Sequence, residues 1–436
     1  MYKTIRLKVQ LLVLLALGCL SLLIGSQGVG AVSTTNEKES IEAAPTLLIQ
    51  SQTQGIEPTW RAVVRHRFVT INRSALEADR FSAALFDDYT PQIVKDSRRS
   101  LVEAIGPGAG PGFIWKGHID RVPGSSVTVI VNPRAVTAMI QVPHSNHVYE
   151  LMYAGNGENE VHVLYDVDRG LVQQSHGQGG SNQELPETPK NYAKPGGEAL
   201  DCLDEPCTSI IDVLGVYTPR VYGQFGRNED AIRNAWSMAI DWSNIAHYNS
   251  EINVRLQLAH IYKTPGYVET NINQDLNRIA YHDTYMEEVF QMQQLYHADL
   301  TQLAGFGYWA GKAQIGGEFS IVDAGSLADG YLPTHEWGHN EGCGHARNDP
   351  IAAGIRPWAW GYYRDGYFTD IMSQGCNGCV GTQNFSNPLV TWCCDAQGNH
   401  LPMGIAYDPT IPPSQDQSAD CAATFKEYGP AIAARR

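Results

Sequence analysis

Three histidines at fixed offsets constrain this chain more than any other feature of its sequence. His335 and His339 are four residues apart, His345 follows, and Gly342 lies between the last two. Residues four apart project from one face of a helix, so the first two imidazoles can reach a single ion. Glycine ends a helix at low conformational cost, which lets the chain turn and bring the third histidine back. The spacing predicts a helix over 330–341 and a three-histidine zinc site.

Glu336 gives this site a predicted chemistry. It follows the first histidine directly, so it lies one step around the helix and can hydrogen-bond a zinc-bound water without ligating the metal. Three protein ligands leave a fourth position for that water, which separates a catalytic zinc from a structural one. We therefore expect one catalytic Zn²⁺ on His335, His339 and His345, and hydrolysis by a zinc-activated water with Glu336 as general base.

The first residues are typical of a secretory signal peptide. Three basic residues within the first eight precede the uncharged apolar run 11–25, and small residues at 29–31 form a cleavage site. We predict a signal peptide over 1–31 and a secreted protein, either extracellular or periplasmic. A membrane anchor is one alternative, although the run is short for a membrane span. A lipoprotein modified at Cys19 is another.

Cysteine use agrees with export. Apart from Cys19, the eight other cysteines all lie after residue 200, and an even number in an exported protein indicates disulfides. Cys343 lies inside the histidine motif, and we expect it to pair with Cys376 or Cys379. The adjacent cysteines at 393–394 are expected to have different partners, with Cys421 as one candidate.

Negative charge is concentrated in the second half of the chain. Residues 201–436 contain 13 Lys and Arg against 27 Asp and Glu, a net charge of −14, whereas residues 1–200 contain 18 against 19. Such a surface disfavours nucleic acid and anionic membranes, so we expect no nucleic-acid partner and no membrane partner after signal removal. Solubility explains the acidity, and bound Ca²⁺ is an alternative explanation.

The pattern along the chain divides it into parts. Short strand-like runs between turn signals predict a β-rich domain over 32–172. Polar, Gly- and Pro-rich sequence predicts an exposed linker with a processing region over 173–207. In 208–436, strands alternate with two predicted long helices, 228–248 and 275–296. The predicted fold class is an α/β domain with a mostly parallel sheet and helices, preceded by the β-rich domain.

The histidine motif resembles that of the metzincin zinc peptidases, in which a methionine turn follows the third histidine. Met372 lies 27 residues after His345 and is similar to that methionine, which forms a hydrophobic base under the metal. Residues 212–219 and 385–388 resemble segments of the bacterial, reprolysin-like peptidyl-Asp metalloendopeptidases. The similarity covers about 208–436, and the β-rich segment before it resembles the propeptide of such enzymes.

This resemblance implies a metzincin-like zinc metalloendopeptidase, made as a precursor, that acts on protein or peptide substrates. It implies that 319–323 is the edge strand beside which a substrate lies extended, with Phe319, Ile321 and Asp323 as substrate-binding residues. It also places Phe385 in the wall of the primed-side pocket. One departure is Ala346, since many reprolysin-like enzymes have aspartate directly after the third histidine.

Two other interpretations stay open. The first is a secreted, zinc-containing binding protein without hydrolytic activity, which would use the β-rich part as an interaction module. Glu336 argues against it, because a protein that only binds does not need the base. The second keeps the β-rich part as a permanent carbohydrate- or protein-binding module.

Arg356, Arg364 and Lys312 are candidates for the recognition of acidic side chains.

Overall fold

The structure, a computed structural model, describes most of the chain after residue 43. The described ranges are 44–56, 63–143, 145–157, 159–168, 208–281, 286–308, 310–349, 352–373, 376, 378–395 and 397–436. The predicted signal peptide and the linker over 173–207 lie outside them. Within these ranges, no helix has both the length and the apolar character that crossing a membrane requires.

The first part of the described chain is a single antiparallel sheet. Its strands are β1 Leu48–Gln50, β2 Val63–Ile71, β3 Arg80–Ser82, β4 Gln92–Ser100, β5 Phe113–Ile119, β6 Ser126–Asn132, β7 Ala135–Gln141, β8 His147–Tyr153 and β9 His162–Asp168. They run in the order β1-β2-β9-β8-β7-β6-β5-β4-β3, and one short helix, α1 (Leu101–Ala104), follows β4. Strands β6 and β7 are rich in Val, Ile and Ala and are buried on both faces, so this sheet has a core on each side.

The second part contains a five-stranded sheet and six helices. The strands are β10 Ser209–Tyr217, β11 Val254–Lys263, β12 Leu300–Gly305, β13 Gly311–Ala313 and β14 Phe319–Asp323, in the order β11-β10-β12-β14-β13. The helices are α2 Pro219–Gln224, α3 Glu229–Asn249, α4 Ile272–Ala280, α5 Glu287–Leu295, α6 Tyr331–Asn340 and α7 Cys421–Ile432. All neighbouring strands are parallel except β13, which pairs antiparallel with β14.

Short strands make up three small sheets after α6. They are β15 Gly344–Ala346, β16 Trp360–Gly361, β17 Tyr363–Arg364, β18 Phe368–Thr369, β19 Val380–Gly381, β20 Asn387–Trp392 and β21 Leu401–Met403. β15 pairs with β16, β17 and β19 flank β18, and β20 pairs with β21.

The predicted fold class is wrong for this molecule, which is largely β. Its largest sheet is antiparallel and has nine strands, and helices account for about 25% of the chain. The prediction gave most weight to the alternation of strands and helices after residue 208. That alternation occupies a limited stretch, because the residues after α6 form short strand pairs and loops before the closing helix.

Two further element predictions need correction. Phe319–Asp323 is a strand, but β13 covers its outer side, so Gly311–Ala313 is the edge of the described sheet. A strand of three residues that contains a glycine and a lysine gives little signal in a sequence. The single helix predicted over 275–296 is two helices: α4 ends before Tyr281 and α5 begins after Met286.

Helix α3 lies at the centre of the molecule. The Asn228 side chain accepts a hydrogen bond from Asp230 N at the start of the helix, and acidic residues in the first turn suit the helix dipole. One side of α3 contacts β6 and β7 of the first sheet, and the rest contacts β11 and α6. Its Trp236 ring lies 6.4 Å from the ring of Trp337 on α6. The helix that carries two of the three histidines therefore rests directly on α3.

Candidate metal centre

Helix α6 and the turn after it position the three histidines. His335 and His339 lie on α6, which ends at Asn340, close to the predicted 341. Gly342 has φ = +101°, the left-handed region that favours glycine, and the turn brings His345 back on β15. The predicted helix and its glycine stop are confirmed.

The ring nitrogens of the three histidines converge. Nε2 of His345 lies 3.2 Å from Nε2 of His335 and 3.0 Å from Nε2 of His339. The three rings can present their ligand atoms within 4.8 Å of one another. Although they are separated in sequence, the three histidines therefore form one cluster, to which α6 contributes two rings and β15 contributes the third.

Each ring is held by an acceptor on its other nitrogen. Nδ1 of His335 lies 2.8 Å from the carbonyl oxygen of Ile371, and Nδ1 of His339 lies 2.8 Å from that of Cys343. Nδ1 of His345 lies 2.8 Å from Oδ2 of Asp349. Carbonyl and carboxylate oxygens only accept, so these contacts assign the N–H to Nδ1 and leave the Nε2 lone pairs facing one another.

This donor set fits a zinc ion. Three lone pairs directed at a common point repel one another unless a cation lies between them. At a tetrahedral zinc with Zn–N bonds of about 2.05 Å, two ligand nitrogens are about 3.3 Å apart, close to the separations found here. Hydrogen bonds from the outer nitrogens of metal-binding histidines to carbonyls and carboxylates are the usual support of such sites. Zn²⁺ is therefore the cation that these residues suit, and nothing in the described residues supports Ca²⁺.

Burial favours the neutral form of two of the three histidines, His339 and His345. Burial, and then the neighbouring His345, lower the pKa of His339 to about 3, and the hydrogen bond to Cys343 opposes them only partly. Burial also lowers the pKa of His345, although Asp349 works in the opposite direction. A neutral imidazole is the form that binds a metal, so the pocket favours ligation at neutral pH.

Glu336 is buried beside this cluster. Its side chain lies against β13, where a Cβ added at Gly311 would come within 2.3 Å of Oε1, so only glycine fits there without displacing the carboxylate. Its Oε2 is buried and has no hydrogen-bond partner among the described residues. Burial raises the pKa of Glu336 well above its usual range, and the positive charge of Lys312 on β13 opposes this shift. A buried carboxyl with a raised pKa suits the exchange of protons.

Met372 lies under the helix that carries the histidines. It is fully buried, and a Cβ added at Gly338 of α6 would lie 2.5 Å from its Sδ. The preceding carbonyl, that of Ile371, accepts hydrogen bonds from both His335 and Tyr331. The turn at 371–372 therefore packs against α6 and also orients the first histidine.

The four residues predicted to bind substrate are all buried. Phe319 and Ile321 lie on the inner strand β14, and the Asp323 carboxylate accepts hydrogen bonds from the backbone of Gly307, Tyr308 and Gly325. The ring of Phe385 packs on His247 of α3 and Phe425 of α7. All four side chains therefore pack in the interior, the outer position of this sheet belongs to β13, and their role in substrate binding stays a prediction.

Several supporting residues had weak signals in the sequence. Asp349 is close to the third histidine but not adjacent to it, and only the fold shows that it bonds His345. From the sequence alone, Glu341 is expected to be an ordinary residue at a helix end. In the structure it is fully buried, and its carboxylate lies 3.0 Å from Nε2 of His247 on α3. The Ile371 carbonyl is a backbone group, so no side-chain pattern could reveal it.

The disulfide expectations for the second half are wrong. Cys343 pairs with Cys421, the first residue of α7, so the bond ties the turn after the metal helix to the closing helix. Cys376 pairs with Cys379, and the adjacent Cys393 and Cys394 pair with each other. Sequence spacing could not show that α7 starts beside the turn. The cysteines at 202 and 207 lie outside the described residues.

Comparison with known proteins extends this description. No family model matches the sequence. The chain is 29% identical over 338 residues to a peptidyl-Asp metalloendopeptidase of Stenotrophomonas maltophilia (strain R551-3), which covers 71% of this chain and 75% of that protein. It is 29% identical over 314 residues to a peptidyl-Asp metalloendopeptidase of Xanthomonas campestris pv. campestris, covering 69% and 70% respectively.

Solved structures give a weaker likeness. Metalloproteinase-II from Bacteroides fragilis aligns with a TM-score of 0.38 and 11% identity, over 71% of this chain and 89% of that one. A chain of a chaperone–substrate complex aligns with a TM-score of 0.39 and 17% identity, over 52% of this chain and 36% of that one. Neither score is high enough to carry an argument. The sequence relatives confirm the resemblance to the peptidyl-Asp metalloendopeptidases, and the chain is similar to these bacterial metallopeptidases.

Proposed function

We propose that the chain is a secreted zinc metalloendopeptidase of the metzincin, reprolysin-like type, which hydrolyses peptide bonds in proteins. The observation that carries this proposal is the convergence of three imidazole Nε2 atoms, each fixed from its Nδ1, beside the buried carboxyl of Glu336. The related metalloendopeptidases support the same reaction class. A purely structural zinc site would not require a glutamate at this position.

His335, His339 and His345 would hold the zinc ion, and bound zinc would supply Lewis-acid polarisation of the scissile carbonyl and of water. Glu336 takes the proton of the attacking water and later delivers it to the leaving amine. Burial suits the first of these steps, since a carboxylate with a raised pKa is a stronger base for the proton of the attacking water. Gly311 leaves room for the carboxylate, and the Asp349 and Ile371 oxygens keep the ligand rings in orientation.

The decisive experiment compares the wild-type protein with Glu336→Ala. We expect both proteins to bind one equivalent of zinc, because Glu336 is not a ligand. Casein cleavage by the variant should fall by a factor on the order of 1,000 or more, since it lacks the base. Removal of zinc with a chelator should abolish cleavage, and zinc should restore it. If both proteins bind zinc and neither cleaves, the interpretation as a zinc-containing binding protein with a β-rich interaction module replaces this proposal.

We further propose that the protein is made as a precursor. The signal peptide over 1–31 is removed first, residues 32–172 precede the peptidase domain as a propeptide, and processing falls in 173–207. The composition of these segments supports this order. The N-terminal sequence of the secreted polypeptide that carries the metal site tests it, because a start before residue 100 in that polypeptide contradicts processing in 173–207.

We propose that Lys312 recognises an acidic side chain of the substrate. The relatives are named for action at aspartyl residues, and three cations were candidates for such a role. Arg356 pairs with Glu427, and Arg364 is exposed on β17. Lys312 lies on the edge strand next to Gly311, is partly buried, and lowers the pKa of Glu336 through its charge. It is therefore the candidate cation nearest the catalytic carboxyl.

Matched peptides test this assignment. Lys312→Met should reduce kcat/KM for a peptide with an aspartyl residue at the cleavage site by on the order of 100-fold, because a partly desolvated charge pair is lost. The value of kcat/KM for the same peptide with asparagine should fall less, because only the effect of Lys312 on the pKa of Glu336 is lost there. Arg364→Met is the control and should leave both values unchanged. An equal loss for the two peptides would show that Lys312 supports the site without selecting the substrate.

A further inference from the structure

The segment that joins α1 to β5 meets the free edge of the second sheet. Residues 106–112 alternate glycine with proline or alanine, and Pro107–Ala109 form a short 3-10 helix. Leu258 N of the edge strand β11 donates a 2.8 Å hydrogen bond to the carbonyl of Ile105. Nη1 of Arg233 on α3 donates a 2.8 Å bond to the carbonyl of Gly108. The N-terminal domain, residues 44–168, thus closes an edge that would otherwise be open.

The approach at this edge is too close for most side chains. A Cβ added at Gly108 would lie 2.8 Å from the backbone nitrogen of His260 and 2.9 Å from its Cα. A Cβ added at Gly106 would lie 2.6 Å from the carbonyl oxygen of Leu258. Direct contact between two backbones explains why this loop is built from glycines, and it makes the fit between the two parts specific.

Buried polar groups also join the N-terminal domain to α3. Nζ of Lys116 on β5 lies 2.7 Å from Oδ1 of Asp241, whose side chain is only 9% exposed. Nδ2 of Asn132 on β6 donates a 2.7 Å bond to Oδ1 of Asn234, and both residues are almost fully buried. Separation of the two parts would leave Asp241 and Asn234 without these partners, which is costly for charged and amide groups.

Apolar side chains of both parts form one continuous core. This core contains Met139, Val163 and Tyr165 of the first sheet together with Trp236 of α3 and Leu258 of β11. A domain that dissociates after processing is expected to have a more polar surface at this interface. The shared core instead resembles a permanent interface, which is more apolar and is not exposed in the mature protein.

The interface lies away from the catalytic glutamate. Within the second sheet the N-terminal domain contacts β11, one edge, whereas Glu336 lies against β13, the opposite edge. Four inter-strand steps separate these edges, which corresponds to roughly 19 Å. A domain bound at β11 therefore stabilises the second sheet. It leaves the opposite edge, at β13, accessible to a substrate.

We propose that the N-terminal domain is a permanent subunit of the peptidase, which stays bound to β11 and α3 after the linker is cut and does not act as a dissociable inhibitor. The proposal rests on the proposed function only in assuming that the linker over 173–207 is processed. It concerns an interaction surface whose partner is a named segment of the same chain.

A controlled cut in the linker tests this. A recognition site for a specific protease replaces residues within 176–196 of the full-length chain in a Glu336→Ala background, so that self-cleavage plays no part. After the cut, gel filtration at about 1 μM in native buffer should show both fragments in one peak. Two separate peaks would overturn the proposal. Since the chain is inactive by design, this result is independent of whether the protein is a peptidase.

Interface variants sharpen the result. Gly108→Ala should raise the dissociation constant of the cut complex by roughly 10-fold or more, because its Cβ overlaps the β11 backbone. Gly266→Ala is the matched control, since no atom lies within 4 Å of the added Cβ, and it should have no effect. Asp241→Ala should raise the constant by on the order of 100-fold through the unpaired Lys116. Unchanged dissociation in both interface variants would contradict the proposed surface.

Discussion

At the scale of single residues, the candidate site depends on groups that orient the ligands. Each histidine is fixed through Nδ1 by an oxygen from a different place in the chain: the Ile371 carbonyl, the Cys343 carbonyl and the Asp349 carboxylate. Only the last is a side chain, so it is the one orienting group that substitution can remove. The absence of an aspartate directly after His345 therefore does not leave that histidine without an acceptor.

Substitution of Asp349 should weaken zinc binding. We expect Asp349→Ala to raise the zinc dissociation constant by about 10- to 100-fold, because the His345 ring loses its acceptor and its fixed tautomer. Asp349→Asn keeps an acceptor oxygen, so its effect should be smaller. Competition with a chromophoric chelator measures both. Asp408→Ala is the control, since that exposed carboxylate accepts hydrogen bonds from Thr410 in its own turn. Equal affinity in wild type and Asp349→Ala would contradict the orienting role.

Sequence reasoning identified the three histidines that the structure brings together, but not the groups that orient them. The offsets of His335, His339 and His345 specify one face of a helix and a return, which are local properties. The contact between Asp349 and His345 needs the conformation of a turn, and the one between Ile371 and His335 joins segments that are far apart in the chain. Such contacts leave no periodic pattern, so they could not be predicted from one sequence.

At the scale of elements, a buried pair joins α3 to the end of α6. The Glu341 carboxylate lies 3.0 Å from Nε2 of His247, whose Nδ1 contacts the carbonyl of Ser243 at 2.8 Å. Burial alone would lower the pKa of His247, but the charge of Glu341 and these hydrogen bonds outweigh it and raise the pKa. The pair therefore anchors the helix that carries the ligands to the helix beneath it.

Breaking this pair should destabilise the protein strongly. We expect Glu341→Ala to reduce the free energy of unfolding by about 3 to 5 kcal/mol, because the partner ring stays buried without its acceptor. Urea denaturation followed by tryptophan fluorescence gives the value. Glu427→Ala is the matched control, since its pair with Arg356 is solvent-exposed and should contribute less than about 1 kcal/mol. Equal losses in the two variants would show that the buried pair adds nothing specific.

The elements themselves were partly predictable. Long amphipathic stretches show a clear hydrophobic period in the sequence, and both ends of α3 (Glu229–Asn249) lie within one residue of their predicted positions. The three-residue strand β13 and the break between α4 and α5 were missed, because short or interrupted elements carry too few residues for a pattern. The edge position was assigned to the wrong strand for that reason.

At the scale of the whole molecule, the two sheets share one core through α3, so the N-terminal domain and the metal centre should unfold together. His162 on β9 belongs to the first sheet and is fully buried, with Nε2 accepting a 3.1 Å hydrogen bond from Val136 N. Burial, and then the charge of Arg73, lower its pKa to about 3. In the unfolded chain a histidine has a pKa of about 6.5.

The sign of the resulting pH effect follows from this difference. Above pH 6.5 the ring is neutral in both states, so its contribution to stability is fully present. As the pH falls from about 6.5 towards 3, the unfolded chain takes up a proton that the folded protein excludes, and stability declines. Between pH 6.5 and 4.5 this one histidine should lower the free energy of unfolding by about 2 to 3 kcal/mol, at about 1.4 kcal/mol per pH unit.

His162→Gln should remove this part of the acid sensitivity, because the amide oxygen can accept the Val136 N–H bond without titrating. We expect the variant to lose less stability than wild type between pH 7.5 and 4.5, as measured by urea denaturation at both values. His400→Gln is the control, since that ring is exposed, and the pH dependence of this variant should match wild type.

Zinc retention should decline over the same urea range as the tryptophan signal. If zinc is lost well before the signal changes, the two parts unfold separately and the shared core does not couple them.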